Sequence, residues 1–167
     1  FAWFEKAADN PKVVAMGETG IDYFHLPPHP TLSPGGRGED VARELVLKKQ
    51  EDLLRQHLTI ARDKKLPVIL HARDSQTEQG GECYNHIYKV LTDFGYFNGV
   101  LHCYGGDWAM AKKFLDLGLM LSFTGIVTFK NSGATLKEVV RNAQLDRMMI
   151  ETDSQYLAPM PYRGKEN

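Results

Sequence analysis

Residues 66–74 read LPVILHARD. Pro67–Leu70 is a short apolar run rich in branched side chains. Its proline stands at the first position, where a strand tolerates one, and the run ends on His71. An unbroken apolar run, rather than an alternating one, is the pattern of a parallel strand covered by helices. Working outward, the same device recurs. Lys12–Met16 (KVVAM) leads into Gly17-Glu18-Thr19-Gly20, and Gly99–Leu101 leads into His102. Leu119–Phe123 leads into Thr124-Gly125, and Met148–Ile150 into Glu151-Thr152-Asp153. Between these runs lie amphipathic segments: one over about 41–65 with Leu54, Leu58 and Ala61 on one face, one over 84–91, one with Met110, Phe114 and Leu117 closed by Gly118, and one with Leu136, Val139, Val140 and Ala143. Repeated βα units predict an α/β fold with a parallel sheet, wound either as an open doubly wound sheet or as a barrel.

The 167 residues are 43% hydrophobic and 25% charged, with formal net charge −1. That length fits a single domain, and the apolar share is enough for a packed core. No stretch approaches the roughly 18–20 apolar residues of a membrane-spanning helix, and no basic segment followed by an apolar one opens the chain. Two cysteines, Cys83 and Cys103, are too few for a disulfide framework, so a reducing, cytoplasmic setting is expected. Near-neutral charge gives no general attraction to nucleic acid or membrane, so any phosphate must be held locally. The stretch 26–40 (LPPHPTLSPGGRGED) breaks the rhythm with four prolines and three glycines and is expected to be an inserted loop. The chain starts at Phe1 inside a helical pattern and stops in a loop-like stretch, which reads as a piece of something longer.

Four ligand-type residues, Glu18, His71, His102 and Asp153, therefore stand at the C-terminal ends of four different strands. In α/β folds that edge is where sites are built. Two imidazoles and two carboxylates suit Zn²⁺, Mn²⁺ or Fe²⁺, and the carboxylates also suit Mg²⁺. A cation there would acidify water, with Asp153 or Glu18 as ligand, base, or both in turn. A single histidine after a strand is commonly only a hydrogen-bonded structural residue; four such positions in register point to a site. His57 and His86 fall inside helices and His25 and His29 at or in the loop, so these four are assigned to packing or solvent.

Other residues carry weaker signals. Arg73 could grip a phosphate or simply pair with Asp74. Cys103 reads as a buried thiol. Gly105-Gly106 could offer N–H groups to an anion or turn the chain, and Tyr104 and Trp108 could stack on a base or pack a helix start.

Six stretches, taken together and in order, resemble the TatD family of metal-dependent deoxyribonucleases: GETGIDYF (17–24), LPVILHARD (66–74), GVLHCYGG (99–106), LSFTGIVTFKN (121–131), DRMMIETDSQYLAP (146–159) and RGKEN (163–167). The resemblance implies a TIM-type (β/α)8 barrel of the metal-dependent hydrolase kind, of which five of eight parallel strands are visible here. It implies one or two divalent metal ions (Mg, Mn or Zn) and cleavage of DNA phosphodiesters by activated water, as an exonuclease acting as a monomer without membrane involvement. The family's ligands carry over to Glu18, His71, His102 and Asp153, with Glu18 and Asp153 also catalytic. Arg73 and Arg163 are candidates for contacts to substrate phosphate. The same metal logic would also serve an amide, lactone or aminoacyl-ester hydrolase.

The departures matter too. The family's first strand carries a His-x-His pair, and none occurs here. Residues 1–167 thus read as one partial barrel domain lacking its first three strands and last helix, with the 26–40 insertion. Gln155 stands where the family has proline. A chain with two open sheet edges is expected to be marginally stable and weakly active, or inactive.

Overall fold

The computed structural model describes residues 1–26, 37–75, 81–130 and 133–167. A short helix α1 (Ala2–Ala8) precedes strand β1 (Met16–Asp22), followed by α2 (Arg37–Lys64), β2 (Val68–Arg73), α3 (Glu82–Phe94), β3 (Gly99–Leu101), α4 (Trp108–Asp116), β4 (Met120–Phe123), α5 (Gly133–Asn142) and β5 (Met148–Ile150). All four strand pairings are parallel, in the order β1-β2-β3-β4-β5. That order decides between the two windings the sequence allowed. A doubly wound sheet reverses direction partway, whereas a barrel adds each strand beside the last. The chain forms five consecutive strands of the barrel kind, with β1 and β5 as its edges among the described residues.

Alternation along the strands separates two faces. Thr19 and Ile21 on β1 and Val68 and Leu70 on β2 are buried, and α2 and α3 pack on these two strands. Leu54, Leu58, Ile87, Leu91, Phe114 and Val139 complete this core from the helices. Replacing wholly buried Phe114 by alanine would remove about 3–5 kcal/mol of stability on the usual scale for such changes. Glu18, Gly20 and Asp22 on β1, and Ile69, His71 and Arg73 on β2, alternate with the buried set and take the other face. Gly20 allows this closeness, because a Cβ there would collide with the carbonyl of His71.

The first strand is not where the sequence placed it. Lys12–Val14 lies in turn and irregular backbone, with Val14 77% exposed. The strand instead runs through GETGID, because its ladder with β2 pairs Thr19–Asp22 with Leu70–Arg73 after an irregularity between Met16 and Thr19. Glu18 is thus within a strand rather than beyond its tip. His71 is likewise inside β2, which continues to Arg73. The expected loop over 26–40 also ends early. Helix α2 begins at Arg37, and the first turn of a helix demands no intrahelical N–H partner, so Gly38 is tolerated there. Residues 27–36 of that stretch, His29 among them, lie outside the described residues. The other elements fall within a few residues of the expected ones, and Gly118 follows α4 in the left-handed conformation, as its position predicted. Among the described residues no helix is long and apolar enough to cross a membrane.

Candidate metal centre

The site grows from the face of the sheet opposite the helices. β1 presents Glu18, whose Oε1 lies 2.7 Å from Nδ1 of His71 on the neighbouring strand. The other carboxylate oxygen, Oε2, is 3.5 Å from Nε2 of His102, just past β3. Asp153, beyond β5, brings Oδ1 to 3.7 Å from the same Nε2. Donor atoms from Glu18, His71 and His102 all lie within 4.8 Å of one another, and the two imidazoles are nearly parallel at 6.3 Å between centroids. The four residues selected from the sequence are therefore brought together, from four strands spread over more than 130 positions of chain.

Two further carboxylates stand behind the imidazoles. Glu151, at the exit of β5, takes Nδ1 of His102 on Oε2 at 2.5 Å and the Cys103 N–H on Oε1 at 2.7 Å. Cys103 turns the chain through a positive φ of 47°, which aims its N–H at that carboxylate. A carboxylate only accepts, so the proton sits on Nδ1 and the Nε2 lone pair faces Glu18 and Asp153. Burial works to raise the pKa of Glu151, but hydrogen bonds from Ser122, the Cys103 backbone and His102 outweigh it and hold the group below the usual carboxylate range. Asp22 is the second. Its Oδ2 stands 3.6 Å from Nε2 of His71 and 2.6 Å from Nδ1 of His25. Burial opposes ionisation of Asp22 as well, and the hydrogen bonds from His25, with the positive influence of His25 and His71, again leave its pKa lowered. Gln50 of α2 clasps the Asp22 backbone, donating to its carbonyl and accepting from its N–H.

Neither Glu151 nor Asp22 was singled out from the sequence. Asp22 lies four residues after Glu18 on one strand face, a period-two signal that a strand ending at Met16 hides. Glu151 is two residues before Asp153, and its role depends on a turn at Cys103 that no local pattern announces.

A cavity of about 520 Å³ opens at this edge, lined by His71, Arg73, His102, Asp153, Tyr156 and Leu157 among others. Arg73 stands at its mouth with its guanidinium carbon 3.9 Å over the Phe24 ring. Arg163 is not on this cavity; it borders a neighbouring cleft, 4.4 Å over Phe129. Asp74 does not pair with Arg73. It accepts the N–H groups of Gly81 and Cys83 and so caps the start of α3. Gly105 gives its N–H to the Tyr84 hydroxyl, so the glycine pair turns the chain and this N–H is not open to an anion. Tyr104 is buried and donates to the Asp107 carbonyl, and Trp108 packs on the core at the start of α4, which excludes Tyr104 as a base-stacking surface. Burial pushes the half-buried Cys103 thiol up, which leaves it a poor nucleophile. His86 bridges Glu51 and Tyr23, and His57 is buried against Phe1 and Phe4.

The donor set of two imidazoles and two carboxylates fits a divalent cation. His102 also has a carboxylate hydrogen-bonded on its far side, the arrangement that orients histidine ligands in metal sites, while Asp22 stands at a longer 3.6 Å from the far nitrogen of His71.

Comparison with known proteins bears this out at the level of family. The model of the TatD related DNases matches residues 1–167. Among curated relatives, the uncharacterized metal-dependent hydrolase YcfH of Escherichia coli K12 is 41% identical over 155 residues, covering 93% of this chain and 49% of its own length. YabD of Bacillus subtilis, also described as an uncharacterized metal-dependent hydrolase, is 34% identical over 99% of this chain and 56% of its own. A protein of Rahnella named 3′-5′ ssDNA/RNA exonuclease TatD is 33% identical over 93% of this chain and 50% of its own. The chain spans about half the length of these relatives. The crystal structure of YJJV, a TatD homolog from E. coli, superimposes with a TM-score of 0.77 at 24% identity, over 99% of this chain and 55% of that one, and shares the fold.

Proposed function

The chain belongs to the TatD related DNase family, and from that premise we propose that it is a metal-dependent hydrolase that cleaves DNA phosphodiester bonds, trimming a strand from its end. The observation that carries the reading is the convergence of Glu18, His71, His102 and Asp153, with Glu151 and Asp22 behind the two imidazoles. The exonuclease name of the Rahnella relative supports nucleic acid as the substrate.

Glu18, His71, His102 and Asp153 would hold one or two divalent cations, Mg²⁺, Mn²⁺ or Zn²⁺. When bound, such a cation supplies Lewis acidity toward a phosphoryl oxygen and lowers the pKa of water. The chain's own residues do the rest. Glu151 keeps the Nδ1 proton of His102 and thereby points Nε2 into the site. Glu18 spans both imidazoles with its two oxygens, a bridging placement. Asp153 is only partly buried and borders the cavity, so its carboxylate can accept a proton from water entering there. Arg73, steadied on Phe24, offers planar N–H pairs to a phosphate at the mouth. A chain of net charge −1 needs such local neutralisation, since its overall field does not draw in polyanions.

The test is direct. The protein is stripped with a chelator and incubated with end-labelled single-stranded DNA, with Mg²⁺, Mn²⁺ or Zn²⁺ added back separately. Stepwise shortening that depends on the added cation is expected. Intact DNA with all three, alongside turnover of an aminoacyl ester or lactone, would overturn the assignment in favour of the other hydrolase class.

A further inference from the structure

The site cavity adjoins a second cleft, of about 630 Å³, and Tyr156 and Leu157 form the wall common to both. Phe129, Arg163, Lys165 and Glu166 border the cleft on its other sides. Its rim is built rather than loose. The Asn167 side chain donates to the carbonyls of Thr152 and Tyr156 at 2.8 and 2.9 Å, and Met160 N–H donates to the Thr128 hydroxyl at 2.8 Å. The Tyr156 N–H is held by the Asp153 carbonyl at 3.0 Å, so its backbone is anchored while the residue remains 66% exposed. The guanidinium carbon of Arg163 lies over the Phe129 ring at 4.4 Å, a cation–π contact that leaves its N–H donors to other partners. Among the described residues, neither Arg163 nor Lys165 has a carboxylate within 4 Å. Two cations against the single carboxylate of Glu166, beside an exposed aromatic ring and next to the reacting centre, form a combination suited to a neighbouring nucleotide.

We propose that this cleft seats the nucleotide adjoining the one being cut in a single-stranded DNA, with its base against the Tyr156 ring and its phosphate on Arg163 and Lys165. The inference rests on the phosphodiesterase reading and deepens it by naming the residues that would seat the adjoining nucleotide. A base paired in a duplex has no free face for Tyr156, whereas an unpaired base does, and stacking of this kind is indifferent to sequence.

The experiment reads binding separately from cutting. Fluorescence anisotropy with labelled dT10 and a ten-base-pair duplex is recorded in chelator, where no cation is present, for wild type, Tyr156→Leu and the double variant Arg163→Gln with Lys165→Gln. Wild type is expected to favour dT10 over the duplex by about tenfold, and Tyr156→Leu to erase most of that preference, in line with the usual worth of one stacked base. The double variant is expected to weaken dT10 binding about tenfold and to flatten its salt slope by about 1.4, the value for two lost contacts to a single strand. Unchanged affinity and slope in both variants, with cation-dependent cutting of dT10 intact in wild type, removes the cleft and keeps the nuclease. Variants that lose binding while wild type cuts nothing uphold the cleft and remove the nuclease. A wild type that neither binds nor cuts dT10 removes both.

Discussion

The two imidazoles of the site are held in different ways. His102, nearly buried, has one carboxylate on Nδ1 at hydrogen-bond distance, and Glu151 is itself fixed by the Cys103 N–H. His71 is more open and lies between two carboxylates, Glu18 on Nδ1 at 2.7 Å and Asp22 at 3.6 Å from Nε2. The second of these distances is beyond a hydrogen bond. One half of the centre is therefore set in its binding tautomer by its surroundings, while the other takes its proton arrangement from Glu18, itself a candidate ligand. The β3–β5 side is the rigid half and the β1–β2 side the adjustable half.

The contrast is broken most strongly by removing the fixed ligands. His102→Ala and Asp153→Ala are each expected to lower cation-dependent DNA hydrolysis by more than about 100-fold, above the range seen for outer-shell losses, while circular dichroism shows the fold retained. Hydrolysis at wild-type rates in either variant would sink the ligand assignment.

Next in size are the carboxylates behind the imidazoles. Glu151→Ala frees the His102 ring and orphans the Cys103 N–H, so calorimetric cation affinity is expected to fall by about 10–100-fold. Stability is expected to drop by about 1–3 kcal/mol. Asp22→Ala removes a longer contact on a ring that Glu18 still holds, and its loss of affinity is expected to stay below about tenfold. Equal losses in the two variants would show that the two halves are gripped alike.

Much of this arrangement was readable from the chain. Runs such as PVIL and GVL point to buried parallel strands because they are short, rich in branched side chains and bounded by proline or glycine, whereas a buried helix would need a longer run. The residues closing them, His71 and His102, follow from that. The pattern of runs left the barrel and the doubly wound sheet both open, since the choice depends on which strands pair, a long-range property; the family resemblance pointed to the barrel, and the strand order agrees with it. β1 was misplaced because GETGID looks like a turn by composition. Its two glycines serve close approach to β2 rather than a reversal of the chain, as Gly20 against His71 shows. Glu151 escaped notice because its partner lies 49 residues away. Arg163 shows the reverse case: by composition it belongs to a polar run with Lys165 and Glu166 that reads as solvated, the resemblance alone makes it a phosphate candidate, and only the fold reveals that it borders a cleft beside the centre.

A third imidazole sharpens what a carboxylate partner contributes, because His57 has none. Buried in α2 against Phe1 and Phe4, it has neither ring nitrogen hydrogen-bonded among the described residues. Burial pushes its pKa below the ordinary histidine value. The folded state thus favours the neutral ring, and the unfolded chain binds the proton more readily. Stability from this group is full above the unfolded value of about 6.5 and is lost as pH falls through it toward the lower folded value. His57→Leu, similar in bulk and without polar atoms, removes both the orphaned nitrogens and the proton linkage. In urea unfolding it is expected to stabilise the protein by about 1 kcal/mol at pH 8, from the nitrogens alone, and by visibly more at pH 5.5. His102, by contrast, has the Glu151 carboxylate on its Nδ1 at 2.5 Å, the kind of partner that His57 lacks. A gain from His57→Leu that is the same at both pH values would mean that the buried ring finds a proton partner in solution, and the difference between partnered and unpartnered imidazoles would then disappear.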